Sequence, residues 1–325
     1  MKLMLARIAC QSQKYVILAS VYARIAHMQM EPPSHLPNLP GMFFRSLFTV
    51  ARNDQQTAAA SELKGTYQAP AFNREQLKRY HQAFGGFVSS VPLTLMYCLA
   101  QRAHLAQMLD ERFPWPAPGL VHVSNSLEQH APVTADIDFV MQASIQLPER
   151  GPTVSARRLR PVFVVEFWQD GTHVATCISE YQVRPKQAAR TPKPREKKSA
   201  VPPGESWQAV KSWSLDATTS RQYARLSGDF NPIHLHPLLS RWFGFEQPII
   251  HGMYMAARAH AEIERQTGQA IRKIDVAFKR PVALPAKITL WQQPAQSELA
   301  GNYQICGADD DLQRLEGRFE LHEAQ

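Results

Sequence analysis

Cysteine is scarce: four in 325 residues (Cys10, Cys98, Cys177 and Cys306), none in a CxxC spacing. That excludes a zinc ribbon and argues against a disulfide framework, so a reducing compartment is expected. Long hydrophobic runs are missing too. The longest near the start, Tyr15–Ala23, has 9 residues and ends at Arg24, where a membrane-spanning helix needs about 20. It also lies too deep for a signal peptide and lacks a convincing cleavage site. A cytoplasmic protein without stable membrane insertion is the expectation. With 44% hydrophobic and 20% charged residues, the chain is neither disordered nor embedded in lipid.

Acidic residues are fewer than basic ones, 28 against 36, for a net charge of +8. A balance of this sign invites nucleic acid or an anionic ligand as partner. Its distribution argues otherwise. Residues 1–60 carry +4 and 184–200 carry +6, while 61–183 and 201–325 carry −1 each. The surplus sits in a tail and a linker, so a groove-wide nucleic-acid footprint is not expected.

Four segments follow. Residues 1–65 form an extension: an amphipathic helix over 1–30, a Pro-rich turn zone (Pro32, Pro33, Pro37, Pro40), and a polar, Ala-rich loop over 51–65. The helix is readable as a solvated extension or as a membrane-surface helix. Residues 66–183 form an α+β unit with a helix over Val91–Leu109 and strand-like alternation over Leu120–Ser126 and Ile137–Ile145. Strands Val162–Phe167 and His173–Tyr181 then flank the hairpin turn Gln169-Asp170-Gly171. Residues 184–206 are a Pro- and Lys-rich spacer.

Residues 207–325 repeat the plan: a strand over Trp207–Leu215, a cap at Asp216–Thr218, a short helix closed by Gly228, and a helix from Gly252 to about Gln266. Strands Ile274–Phe278, Ala286–Trp291, Gly301–Cys306 and Leu315–Leu321 follow, with Asp309–Asp311 at the last turn. Three echoes recur in the same order: Tyr80–Phe87 with Tyr223–Phe230, Met96-Tyr97 with Met253-Tyr254, and Pro132-Val133 with Pro281-Val282. They indicate a duplicated domain.

Chemistry concentrates in Tyr223–Tyr254. Pro232 cannot continue a helix and pushes Asn231 toward an extended conformation. The resulting loop can bring Asp229 and His234 around one small volume, where a carboxylate and an imidazole sharing a water make an acid/base pair near neutral pH. Gly252 opens a helix, whose free N–H groups favour a developing oxyanion. Each part has a plainer reading. Asp-x-Asn-Pro is a common turn, and His251 before Gly serves equally well as a structural histidine. His234 and His236, two apart, lack a third ligand, so no metal is expected.

Ser227-Gly228-Asp229-Phe230-Asn231-Pro232-Ile233-His234, followed by Pro248-Ile249-Ile250-His251-Gly252-Met253, resembles the signature of the MaoC-like family of R-specific enoyl-CoA hydratases and 3-hydroxyacyl-thioester dehydratases. The motif covers about 207–325; over 66–183 the resemblance is to the fold alone. It implies an α+β double hot-dog, two curved antiparallel sheets each wrapped round a central helix. It implies Asp229 and His234 as the catalytic dyad, with Asn231, His251 and Gly252 on the substrate-binding side. The implied reaction is reversible hydration of trans-2-enoyl thioesters of coenzyme A or acyl carrier protein, in fatty acid metabolism, with no metal or redox cofactor.

Two positions depart from the family pattern: His236 stands where many members carry Asp, and Ala256-Ala257 where bacterial members often carry Ser. The first half aligns Gly86 with Asp229, Val88 with Asn231 and Thr94-Leu95 with His251-Gly252, so one active site per chain is expected. The first half would then house a medium or long acyl tail. Lys279-Arg280 are readable as a phosphate contact or as a solvated strand end. Two hot dogs in one chain supply internal pairing, which suits a monomer or a homodimer. A non-catalytic acyl-thioester-binding subunit and a thioesterase are the competing functions.

Overall fold

Strand order repeats in the two halves. The computed structural model describes residues 34–37, 42, 45–46, 49, 61–148, 159–183, 204, 206–297 and 299–323, all within one compact unit spanning Ser34–Gln325. The helix expected over 1–30, the loop over 51–60 and nearly all of the linker 184–206 lie outside the described residues.

The first half runs β2 (Glu62–Ala69), α1 (Arg74–Phe84), α2 (Leu93–Met108), β3 (Leu120–Gln129), β4 (Phe139–Gln146), β5 (Val162–Gln169) and β6 (Thr172–Val183). The second runs β7 (Gln208–Leu215), α3 (Thr219–Ser227), α4 (Pro237–Trp242), α5 (Gly252–Thr267), β8 (Ile271–Phe278), β9 (Ala286–Ser297), β10 (Ala300–Gly307) and β11 (Gln313–Leu321). Hydrogen-bonded order is β2-β4-β5-β6-β3 in one half and β8-β11-β10-β9-β7 in the other. Numbered by appearance within each half and read toward the β3–β8 junction, both run first, third, fourth, fifth, second. The two sheets are joined at β3 and β8 into one eleven-stranded sheet, whose only parallel pair among the described residues is β1 (Ser34–His35) against β2. This is the double hot-dog fold.

Sequence explains the elements. The Asp170-Gly171 turn adopts positive φ at both residues, 47° and 76°, matching the twist of the strands it joins. The helix α2 buries 13 of its 16 residues, which is why its apolar pattern runs almost all round: it is a central helix, not a surface one. Asn73 caps α1 by accepting from the N–H of Glu75 at 2.8 Å. Asp216 does the same for α3, accepting from Thr218 and Thr219 N–H at 2.7 and 2.8 Å, and Gly228 ends it at φ 79°.

The structure departs from two expectations and adds one element. The loop over 51–65 ends earlier, because Glu62–Gly65 already pair with Gln146–Ala143 in β2. Helix α1 went unmarked in the sequence, where only Tyr80 and Phe84 of its residues are buried. The central helix of the first half begins at Leu93 after Pro92, so Pro92-Leu93, not Thr94-Leu95, occupy the place of His251-Gly252.

Candidate active site

Gly228 in the left-handed region stops α3 and turns the chain outward, and the loop then lays Asp229, Asn231 and His234 along one wall. Asn231 holds the loop twice. Its backbone N–H donates to Asp229 Oδ1 at 3.1 Å, and its side chain accepts from Ile233 N–H at 3.4 Å. Pro232–His234 then forms a single tight helical turn. His236 caps α4, its ring accepting from Leu238 N–H at 3.2 Å. An Asp there could make the same bond, so this departure from the family pattern leaves the loop intact.

Asp229, His234 and His251 each present an atom within 4.8 Å of the other two. The imidazoles of His234 and His251 stack with centroids 3.6 Å apart. His234 Nδ1 lies 2.7 Å from the carbonyl of Ile249. A carbonyl only accepts, so Nδ1 carries the proton and Nε2 keeps its lone pair. By the same logic His251 Nε2, 3.0 Å from the Asp229 carbonyl, is the donor. His251 is 2% exposed and sits behind the other two, tying the Asp229 backbone in place. Asp229, His234 and His251 could hold a cation, but one nitrogen of each ring already donates to a carbonyl, and the lone pairs that remain can equally accept from a water.

Burial lowers the pKa of both histidines. It brings His251 to about 3, with His234 acting in the same direction, and it lowers His234 against the opposing pull of Asp229. Burial alone would raise Asp229, but His251, His234, a hydrogen bond from Gln101 and the Asn231 N–H outweigh it and lower its pKa. Near neutral pH the site therefore pairs a carboxylate with a neutral imidazole.

Gln101 is the residue the sequence did not reveal. Its Nε2 donates to Asp229 Oδ2 at 2.7 Å from α2 of the other half, 128 residues away. No spacing rule links such positions. A cavity of about 540 Å³ connects the halves, lined by Asp229, His234 and Gly252 on one side and by Tyr97, Gln101 and Met108 on the other. No side chain caps α5 at Gly252; Tyr254 N–H donates to the His251 carbonyl at 3.2 Å, and the N–H groups of Gly252 and Met253 before it are the ones open to a ligand oxygen. A Cβ at Gly252 would lie 2.6 Å from the Phe278 ring, so a larger residue fits only if that ring shifts.

A family profile described as "MaoC like domain" matches residues 198–296. The 3-hydroxyacyl-thioester dehydratase X of Mycobacterium tuberculosis is 30% identical over 275 residues, covering 81% of this chain and 90% of that protein. The chain belongs to the MaoC-like dehydratase family. The chain is also similar to the (R)-specific enoyl-CoA hydratase of Aeromonas caviae, 36% identical over 70 residues, or 21% of this chain and 52% of that one. The crystal structure of HtdX from Mycobacterium tuberculosis matches with a TM-score of 0.63 at 21% identity, over 80% of this chain and 100% of that one. At this identity the match speaks for the fold. This MaoC-like chain keeps the acid and the histidine in its second half. In the first half, Gly86 follows the end of α1 as Asp229 follows the end of α3. Among the described residues no helix is long and apolar enough to cross a membrane.

Proposed function

We propose that this chain catalyses the reversible hydration of trans-2-enoyl thioesters to (R)-3-hydroxyacyl thioesters in fatty acid metabolism, with Asp229 and His234 as the dyad. The observation that carries the reading is the fixed tautomer: His234 Nδ1 is committed to Ile249 O at 2.7 Å, which leaves Nε2 as a base beside an ionised carboxylate. A water held between them loses a proton to Nε2 as its oxygen bonds C3. The C2=C3 electron pair moves toward the thioester oxygen, which the Gly252 N–H stabilises. The enolate then takes the proton from the imidazolium at C2, and the dyad is restored. Acid/base help of this kind contributes roughly 10²–10⁴-fold, and one oxyanion donor about 3 kcal/mol.

A longer acyl tail is supported by the cavity's apolar lining from the half without the acid, at Leu105, Met108 and Leu120. The 207–325 half is thus the catalytic one and the first half its housing. Lys279 and Arg280 line the same cavity, although Lys279 pairs with Glu316 at 2.7 Å and Arg280 donates to the Gln313 carbonyl at 3.2 Å. The thioester carrier, coenzyme A or an acyl carrier protein, brings the same phosphopantetheine arm.

The test follows enoyl-thioester absorbance and free thiol in parallel. Loss of absorbance without thiol release is expected, with Asp229→Asn and His234→Ala each abolishing it. Thiol release would indicate a thioesterase. Binding without turnover would indicate a non-catalytic subunit, and activity surviving in both variants would overturn the dyad.

A further inference from the structure

We infer that Gln101 is a positioning residue for Asp229, so that the acid of the second half is aimed by a side chain of the first. The inference rests on the functional reading above and extends it across the two halves.

Gln101 is one of only three residues on α2 that are not buried, and it lines the cavity. Its amide nitrogen must face the carboxylate, because an amide oxygen at 2.7 Å from Asp229 Oδ2 would be repelled. Asp229 Oδ1 meanwhile accepts from Asn231 N–H at 3.1 Å. Each carboxylate oxygen therefore has one protein donor and keeps a lone pair for water. The two bonds arrive from different halves and fix the carboxylate plane. Because the donor at Oδ2 is neutral, it stabilises the ionised acid without supplying a competing cation.

The crossing is reciprocal. Helix α5 of the second half sends Glu264 to the loop that follows α1, where it accepts from Val88 N–H at 2.7 Å and from Ser89 N–H at 2.9 Å. Helix α2 of the first half sends Gln101 to the loop that follows α3. Each central helix holds the other half's post-helix loop. In one direction the bond locks structure, and in the other it reaches the acid.

The experiment compares wild type with Gln101→Met, which keeps the length but removes the donor, and with Gln101→Glu. For Gln101→Met, kcat should fall roughly ten- to a hundredfold with KM within about threefold, and the acidic limb of the pH profile should move up by about one unit. Gln101→Glu introduces an acid that can donate only while protonated. Its turnover should recover at acidic pH and fall as pH rises through the raised pKa of the new carboxyl. A side chain that only fills space would show neither effect.

A second readout does not depend on activity. In protein labelled with ¹³C at the Asp side-chain carboxyl, the Asp229 signal is identified by its loss in Asp229→Asn, and its titration is compared in wild type and Gln101→Met. An upward shift supports the inference. An unchanged titration, or a kcat loss with an unmoved acidic limb, overturns it. If wild type fails to hydrate enoyl thioesters, the functional reading fails, while the titration still reports on Gln101.

Discussion

The fully buried carboxylate of Glu264 accepts from both the backbone N–H and the hydroxyl of Ser89, at 2.9 and 3.0 Å, across the division between the two halves. The same carboxylate accepts from Val88 N–H at 2.7 Å and Ile271 N–H at 2.7 Å, and pairs with His260 Nε2 at 2.9 Å. Close approach of the two halves here depends on Gly86, whose φ is 117° and whose missing Cβ would lie 2.6 Å from the Ala261 carbonyl.

Removing that carboxylate strands several buried donors at once. Glu264→Ala should cost about 3–5 kcal/mol of unfolding free energy, read by urea denaturation. Burial raises this acid's pKa, but His260 and the Ile271 and Ser89 N–H groups bring it down to about 2. Its stabilisation is therefore complete above the unfolded value near 4.3 and is lost as pH falls through about 2. A cost below about 1 kcal/mol would mean that the loop contact is incidental.

A second pH dependence lies higher. Burial brings His104 and His251 down to about 3 and His122 to about 4. All three are neutral in the fold yet protonate near 6.5 once unfolded. Since the unfolded chain binds more protons, stability is complete above about pH 6.5 and falls as pH drops toward 3, by on the order of 2 kcal/mol per histidine at pH 5. Melting temperatures measured from pH 7.5 to pH 5 should decline, and His104→Gln should flatten the decline. A flat wild-type profile would contradict the neutral assignment.

Gly252→Ala drives a methyl group into Phe278. Overpacking of this kind costs typically 1–3 kcal/mol, and the displaced helix start should lower kcat more than it raises KM. Differential scanning calorimetry and steady-state kinetics on the same sample separate the two effects. Equal kcat in both proteins would remove Gly252 from the oxyanion role.

Acyl length should respond to the cavity lining that the first half contributes. Met108→Trp is expected to reduce turnover of a C12 enoyl thioester roughly tenfold or more while leaving C4 within about twofold. Wild type turning over C4 far faster than C10–C16 would show that the first half does not house the tail.

The loop was legible because its chemistry is local: Asp229, Asn231, Pro232 and His234 lie within six residues, and turn and cap preferences fix their order. The central helices were legible too, since burial all round leaves long apolar runs. Gln101 was not, for the bond to Asp229 exists only once α2 meets a loop residue 128 positions further along the chain. Glu264 was hidden likewise, an ordinary helix residue until five donors converge on it. Thr94-Leu95 were matched to the helix entry through the Met-Tyr echo, whereas a cap is set by backbone geometry, and Pro92 already provides it. Strand β2 was obscured by its polar start, Glu62-Leu63-Lys64-Gly65, where only Leu63 is buried.

Ser124–Glu128 of β3 pair with Ala277–Lys273 of β8, with Arg272 and Lys273 both reaching Glu128, at 2.7 and 2.8 Å. Were the halves separate chains, this seam would let like assemble with like: acid loops with acid loops and amide helices with amide helices. Covalent connection removes that choice. Every molecule carries one acid loop and one Gln101 helix in fixed stoichiometry, so the loss of acid from one copy never dilutes the sites of the other.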